Sequence, residues 1–258
     1  MPGKLTVIGV GPGDPELLTV KALRALENAK IICVPKGREE GSSLALSIVQ
    51  KAVDLDGKEI IEAHFPMQKT KGQGSSRYDR RFVPNSIPRV KGQEEENELD
   101  IKWDQTAQLI LSKLRAGNNV AFLTLGDPTI YSTFYYLYDR LKAHLPDLDI
   151  EIIPGVSSIN AAAARAGISL ALGDDSIAIL PANYMDDIKT TLEAFDTVVL
   201  MKVHKVFDRV VELLREMDLT GKAVYVGRAG MEDEKIVRDI QSMKREDLSY
   251  FSMIIVRK

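Results

Sequence analysis

The residue types able to do chemistry in this chain gather in three short stretches. Residues 9–14 read Gly-Val-Gly-Pro-Gly-Asp at the end of the apolar run LTVIGV, residues 124–132 read TLGDPTIYS, and residues 153–168 read IPGVSSINAAAARAGI. The first has the outline of a phosphate-binding turn but fits one poorly. A dinucleotide fingerprint wants Gly-x-Gly-x-x-Gly opening into a helix, with an acid about 20 residues later for the ribose. Here Asp14 stands where the third glycine belongs, and the second apolar run ends in Pro35 and Lys36 rather than a carboxylate. The segment DPELLT also delays the helix to an N-cap at Thr19. No Gly-Lys-Ser/Thr follows, so the phosphate-loop motif fails as well. A tight turn that uses its glycines for positive φ, with Asp14 as a local cap, explains the six residues equally well.

In the second stretch Gly126 lets the backbone approach a ligand, and the Asp127 carboxylate can accept from an ammonium or a hydroxyl. The same residues read as a helix start, with Asp127 at the N-cap and Pro128 at the first position. In the third, Ser157 and Ser158 offer hydroxyls and N–H groups, and small residues up to Ala164 allow a helix to lie close to a backbone or a flat ligand. An Ala-rich helix packed in a core accounts for it too. Other chemistries find no support. His64, His144 and His204 are not spaced for a metal, one cysteine makes no thiolate site, and no Gly-x-Ser-x-Gly elbow occurs. His64 in EAHFPM is either an axial ligand for a metallated substrate or a half-buried strand histidine.

The elements that must position these stretches alternate. LTVIGV, KIICVP, KEIIEAHF, NVAFLTLGD and DIEIIPG are β-branched runs separated by helical patterns, which is βαβ order and predicts a parallel sheet. Leu18, Ala22, Ala25, Leu26 and Ala29 mark one crossover helix. Ala107, Ile110, Leu111 and Leu114 mark another, ending at Gly117. After Pro154 the runs SIAILPA, TVVLMKV and AVYVGRAG continue, with a helix carrying Val206, Val210, Leu213 and Met217. EKIVRDI and YFSMIIVRK then follow without a needed helix, so antiparallel strands are expected to close a mixed second sheet. A single sheet through both halves is the alternative. In open α/β sheets ligands bind at the carboxyl ends of the strands, where the first two stretches lie.

Composition sets the outer bounds. The 258 residues are 45% hydrophobic and 28% charged, enough for one large or two smaller α/β domains. A net charge of −3 and a pI near 5.8 favour neither nucleic acid nor an anionic membrane as partner. No apolar run has the length of a signal or a membrane span, and the lone Cys33 reads as a buried structural thiol, so a cytoplasmic protein is expected. Residues 68–100 differ from the rest. They form a long segment with a basic front (Lys69, Lys71, Arg77, Arg80, Arg81, Arg89, Lys91) and an acidic block (Glu94, Glu95, Glu96, Glu98, Asp100), whose composition favours a disordered insert over an ordered lid.

Together, VIGVGPGDPELLTVKA, FLTLGDPTIYSTFYYL and IPGVSSINAAAARAGI resemble the tetrapyrrole methylases, the S-adenosylmethionine (SAM)-dependent family of cobalamin and sirohaem synthesis, almost end to end. Within it, VPKGREEGSSLALSIV, HFPM and LTLGDPTIYST look most like the branch that methylates C-20 of precorrin-2 or cobalt-factor II. The resemblance implies two α/β domains, residues 1–153 and 154–258, usually in a homodimer, with SAM in the cleft between them. It places SAM contacts, mostly through backbone, on Pro12, Leu125, Gly126, Asp127, Ile130, Ser157 and Ser158, and further ones on Tyr131, Met201 and Val224. Lys36 and Arg38 are the first candidates to hold the carboxylates of a tetrapyrrole, although a solvated loop explains both. No residue announces itself as the base that takes the meso proton; Asp14, Tyr131 and His64 are the candidates. The 68–100 segment is longer than the family pattern. Competing readings are another ring position, a dinucleotide-dependent oxidoreductase, a SAM-binding module without turnover, and RNA methylation through the basic segment.

Overall fold

The structure is a computed structural model and describes residues 2–36, 43–64, 98–182 and 187–258. Five parallel strands form the first sheet: β1 (Leu5–Gly9), β2 (Ile31–Lys36), β3 (Glu59–His64), β4 (Val120–Thr124) and β5 (Ile150–Ile153), in the order β3-β2-β4-β1-β5. Neighbouring residues such as Val7 and Ile8 are both fully buried, as a parallel sheet covered on two faces requires. Helices α1 (Val20–Asn28) and α2 (Leu44–Gln50) cover one face through Ala22, Leu26, Ile48 and Val49. Helices α3 (Glu98–Arg115) and α4 (Phe134–His144) cover the other through Ile110, Leu114, Phe134 and Leu137.

The second sheet is separate and mixed. Strands β6 (Ile177–Pro181), β7 (Thr197–Met201), β8 (Ala223–Gly227), β9 (Lys235–Val237) and β10 (Ser252–Arg257) run in the order β6-β7-β10-β8-β9. β6 and β7 are parallel, and every other pair is antiparallel. As the sequence predicts, the last two strands enter without an intervening α-helix; β10 runs between β7 and β8. Helices α6 (Ile188–Ala194) and α7 (Phe207–Glu216) pack on one face. Helix α5 (Ser158–Ala166) packs on the other, where Ala161, Ala162, Ala163 and Ala166 bring it close to Val199, Val224, Val226 and Ile255.

Local signals act where the sequence places them. Thr19 caps α1 by accepting from the Ala22 N–H at 3.1 Å, and Ser157 caps α5 by accepting from the Asn160 N–H at 3.2 Å. Gly167 ends α5 in the left-handed conformation at φ 63°. Cys33 is fully buried, and desolvation pushes its thiol up to about 12, which makes it structural. Two expectations need correction. Residues 98–100, expected inside the long segment, are already helical, because the acidic block runs into the first turn of α3. Asp127 does not cap α4, which begins six residues after Pro128 behind Thr133. The order or disorder expected for the remainder of 68–100 lies outside the described residues.

Candidate active site

The exits of β4, β1 and β5 are neighbours because the strands are neighbours. β1 leads to α1 on one face and β4 leads to α4 on the opposite face, so the two chains diverge and open a crevice between them. There Gly11 and Gly126 exchange backbone hydrogen bonds: the Gly126 N–H donates to Gly11 O at 2.7 Å and the Gly11 N–H to Gly126 O at 3.3 Å. Both glycines have left-handed φ, 79° and 71°, which other residues adopt only at a cost. A Cβ on Gly9 would stand 2.6 Å from Gly155 N and 2.7 Å from Gly126 O. One glycine from each of the three chemical stretches therefore meets the others at a point that only backbone can occupy.

Asp127 ties the second stretch to the third. Its Oδ2 accepts from the Gly155 N–H at 2.9 Å, and its Oδ1 accepts from the Thr129 N–H at 2.8 Å and from the Thr129 hydroxyl. The carboxylate is thus engaged in shaping the crevice, not in starting a helix. Asp14 accepts from the Glu16 N–H at 2.9 Å and caps the single 3-10 turn Pro15–Leu17, the local role foreseen for it. Leu125 packs on the core beneath α1 and α2. Thr124 and Ser132 hydroxyls meet at 3.1 Å and close the loop that carries Gly126 and Asp127.

The first and second stretches also lean on the mixed sheet. The Pro12 ring lies against Gly230 in the β8–β9 connection, and a Cβ on Gly13 would stand 2.8 Å from Gly230 O. That connection is pinned: Glu234 accepts from the Gly230 N–H at 2.7 Å and pairs with Arg165 of α5 at 2.6 Å, while Glu232 pairs with Lys51 at 2.7 Å. Ile130 and Met201 are half-buried against the core that contains the fully packed Val224. The Met201 carbonyl accepts from the Ala182 N–H at 2.7 Å. Tyr131 has φ 54° and is 50% exposed; its hydroxyl donates to Ile179 O at 3.4 Å and its ring lies 5.5 Å from the Lys202 ammonium. Partial burial pushes its phenol above the ordinary value, so it stays protonated at neutral pH.

The structure brings Pro12, Gly126, Asp127, Ile130, Tyr131, Ser157, Ser158 and Met201 to one side of the molecule, with Val224 behind them in the core. Lys36 is placed differently: it ends β2, is only 12% exposed at its side chain, and its ammonium pairs with Glu62 of β3 at 2.9 Å. Arg38 lies outside the described residues. His64 ends β3 opposite Lys36 in register. Two residues escaped the sequence reading. Glu234 is invisible without the fold, because its partners are Gly230 and Arg165. Lys202 carried one usable signal, a lysine directly after the apolar run TVVLM at a strand's carboxyl end.

Within 9–18, 124–134 and 153–163 there is no Lys or Arg. The crevice offers backbone carbonyls and N–H groups, apolar Ile130 and Met201, and close approach at Gly126, where a Cβ would just touch the start of α5, 3.8 Å from Ser158 N. These stretches supply no cation of their own to a diphosphate, and their backbone donors and acceptors suit a cationic, phosphate-free adenosyl group.

The two sheets and their order define a class III methyltransferase-like α/β fold. It matches the solved structure of a cobalt precorrin-4 methyltransferase with a TM-score of 0.70 at 24% identity, over 98% of this chain and 94% of that one. It also matches a uroporphyrin-III C-methyltransferase from Thermus thermophilus complexed with S-adenosylhomocysteine, with a TM-score of 0.61 at 19% identity over 99% and 92%. The family model of the tetrapyrrole (corrin/porphyrin) methylases matches residues 4–241, and the chain belongs to that family. Among its relatives, the cobalt-precorrin-2 C(20)-methyltransferase of Salmonella typhimurium is 34% identical over 100% of this chain and 98% of its own length. A probable cobalt-precorrin-2 C(20)-methyltransferase of Methanocaldococcus jannaschii is 32% identical over 99% and 96%.

Proposed function

We propose that this chain transfers the methyl group of SAM to the C-20 meso carbon of precorrin-2 or cobalt-factor II, a step in cobalamin biosynthesis. The observation that carries the reading is the meeting of Gly9, Gly126 and Gly155, which builds a backbone-walled crevice from three distant stretches that carry no Lys or Arg within 9–18, 124–134 and 153–163. The full-length relatives named for C-20 methylation give it its ring position. We take residues 1–153 and 154–258 as two domains with SAM between them, held by Pro12, Leu125, Gly126, Asp127, Ile130, Tyr131, Ser157, Ser158, Met201 and Val224. Bound there, SAM supplies an electrophilic sulfonium methyl for direct displacement by an enamine-like bridging carbon. The protein's part is alignment and exclusion of water. Gly11 and Gly126 let backbone carbonyls approach, and Asp127 fixes that backbone by holding Gly155. Tyr131 stands at the crevice with its hydroxyl on the Ile179 carbonyl.

We further take the enzyme to act as a homodimer in the cytoplasm, on the strength of the family resemblance. Among the described residues no helix is long and apolar enough to cross a membrane. The purified protein, incubated with SAM and either metal-free precorrin-2 or its cobalt form, is expected to add one methyl group, read by mass spectrometry. Tight binding of NADH with no binding of SAM in a calorimetric titration would reject the reading. Uptake of SAM without turnover of either tetrapyrrole would leave only a binding module.

A further inference from the structure

Resting on that reading, we propose that Lys202 is the residue that receives a peripheral carboxylate of the tetrapyrrole, held ready by the ring of Tyr131. Lys202 follows β7 directly, at the carboxyl end of a strand that packs Met201 beside Ile130. It has φ 58° and Tyr131 has φ 54°, and these are two of the four non-glycine residues with positive φ among those described. The other two, Asp218 after the last turn of α7 and Arg228 after β8, sit at chain turns, as does Lys202, which opens the 3-10 turn Val203–Lys205 with its N–H on Ser252 O at 3.1 Å; what distinguishes Lys202 is the side chain it meets. A non-glycine residue in the left-handed region costs of order 1 kcal/mol, and such costs gather where the surrounding structure needs a side chain aimed. Here the two strained residues, 71 positions apart, aim at each other: the Lys202 ammonium stands 5.5 Å from the centre of the Tyr131 ring.

Its partner sets Lys202 apart from several other cations of the chain. Lys36, Lys51, Arg165 and Arg228 each sit on a carboxylate: Glu62, Glu232, Glu234 and Asp233. Lys202 is exposed and has no carboxylate within ion-pair distance among the described residues; its partner is a π face. A cation on an aromatic ring is preset in direction and keeps its charge for a ligand, so less side-chain freedom is lost when an anion arrives. Beside it the Ile179 side chain is also exposed, and the Tyr131 hydroxyl reaches the Ile179 carbonyl. An apolar surface with one unneutralised ammonium at its edge fits a flat macrocycle rimmed with carboxylates. The carboxylate of SAM itself would belong deeper, at the glycine crevice.

The experiment compares the unsubstituted protein with Lys202→Met, Lys202→Arg, Lys202→Gly and Tyr131→Leu. It reads KM and kcat for the tetrapyrrole, the affinity for SAM, the equilibrium affinity for uroporphyrin as a stable tetrapyrrole polycarboxylate, and the Tm. Lys202→Met is expected to raise the tetrapyrrole KM and weaken uroporphyrin binding roughly tenfold, the scale of one charge-assisted hydrogen bond, with kcat and SAM affinity little changed. Lys202→Arg should recover most of the loss, and Tyr131→Leu should share part of it. Lys202→Gly should bind as weakly as Lys202→Met yet melt higher, because it removes the backbone strain. Unchanged uroporphyrin affinity in Lys202→Met, or a loss confined to SAM, would overturn the proposal. Failure of the unsubstituted protein to methylate would instead count against the proposed function, since uroporphyrin binding reads Lys202 without turnover. No uroporphyrin binding by any form, with the tetrapyrrole KM of Lys202→Met unchanged, would overturn the proposal and leave the proposed function to be decided by turnover.

Discussion

The two sheets have the same number of strands and opposite uses of their ends. All five strands of the first sheet are parallel, so every carboxyl end lies on one edge, and three of those ends, after β4, β1 and β5, come together as a working surface. In the second sheet three of the four pairings are antiparallel: β6, β7 and β8 run one way, and β9 and β10 run the other. The carboxyl end of β7 delivers Met201 and Lys202 beside Ile130 and Tyr131, and β8, which runs the same way, delivers Gly230 to the first glycine turn. Strands that run the same way therefore gather residues distant in sequence, and the two opposed strands, β9 and β10, mainly complete the platform. Glu234 and Glu232 pin the β8–β9 turn, through the Gly230 N–H and Lys51, where Gly230 meets Pro12 and Gly13.

This contrast breaks first at the glycines. Gly155→Ala puts a Cβ into hard contact with Gly126 O and 2.8 Å from the Gly9 backbone, with no flexible side chain to yield. It is expected to cost about 3 kcal/mol in urea unfolding and to abolish SAM binding together. Gly221→Ala, in the second half, meets nothing within 4 Å and should stay within about 0.5 kcal/mol. If both changes cost the same, the crevice is not the close-packed point described here.

A smaller effect should separate platform from site. Tyr225 on β8 is fully buried; its hydroxyl accepts from the Ser249 N–H at 3.1 Å and donates to Asp247 O at 3.4 Å. Tyr225→Phe leaves that N–H without a partner, so a loss of about 1–2 kcal/mol in unfolding free energy is expected with kcat and KM unchanged. A matching loss of activity at temperatures where the variant is folded would show that the platform takes part in chemistry.

The smallest effect lies at the outer edge of the first sheet. Lys21 and Lys4 hold the Glu151 carboxyl down to about 2 from an ordinary 4.5. A depressed carboxyl contributes stability that is present above about 4.5 and lost as pH falls toward 2. The pairs are solvent-screened, so the contribution is below about 1 kcal/mol. Glu151→Gln should flatten the acid limb of the stability curve slightly and leave SAM binding alone. A change in SAM affinity would mean that this edge is coupled to the crevice.

The sequence is legible where a signal is local and silent where it is tertiary. Strand runs, the cap at Thr19, the helix start at Ser157, and Gly117 with φ 82° just after α3 depend on neighbours a few residues away, and they stand in the structure as read. Asp127 looked like a helix cap because Pro128 follows it, but its decisive partner, the Gly155 N–H, is 28 residues distant. The same holds for Lys36, which reads as a free cation until β3 brings Glu62 beside it, and for Lys202, which reads as a strand end until Tyr131 meets it. The three glycine stretches suggested a ligand one by one. Only the strand order explains why they form a single crevice.

The most direct test of the account follows the methyl group itself. With SAM carrying a carbon-13 methyl and precorrin-2 or its cobalt form as acceptor, the NMR spectrum of the product should show one labelled methyl, bonded to the C-20 meso carbon. Label on any other ring carbon, or none transferred while SAM binds, would contradict it.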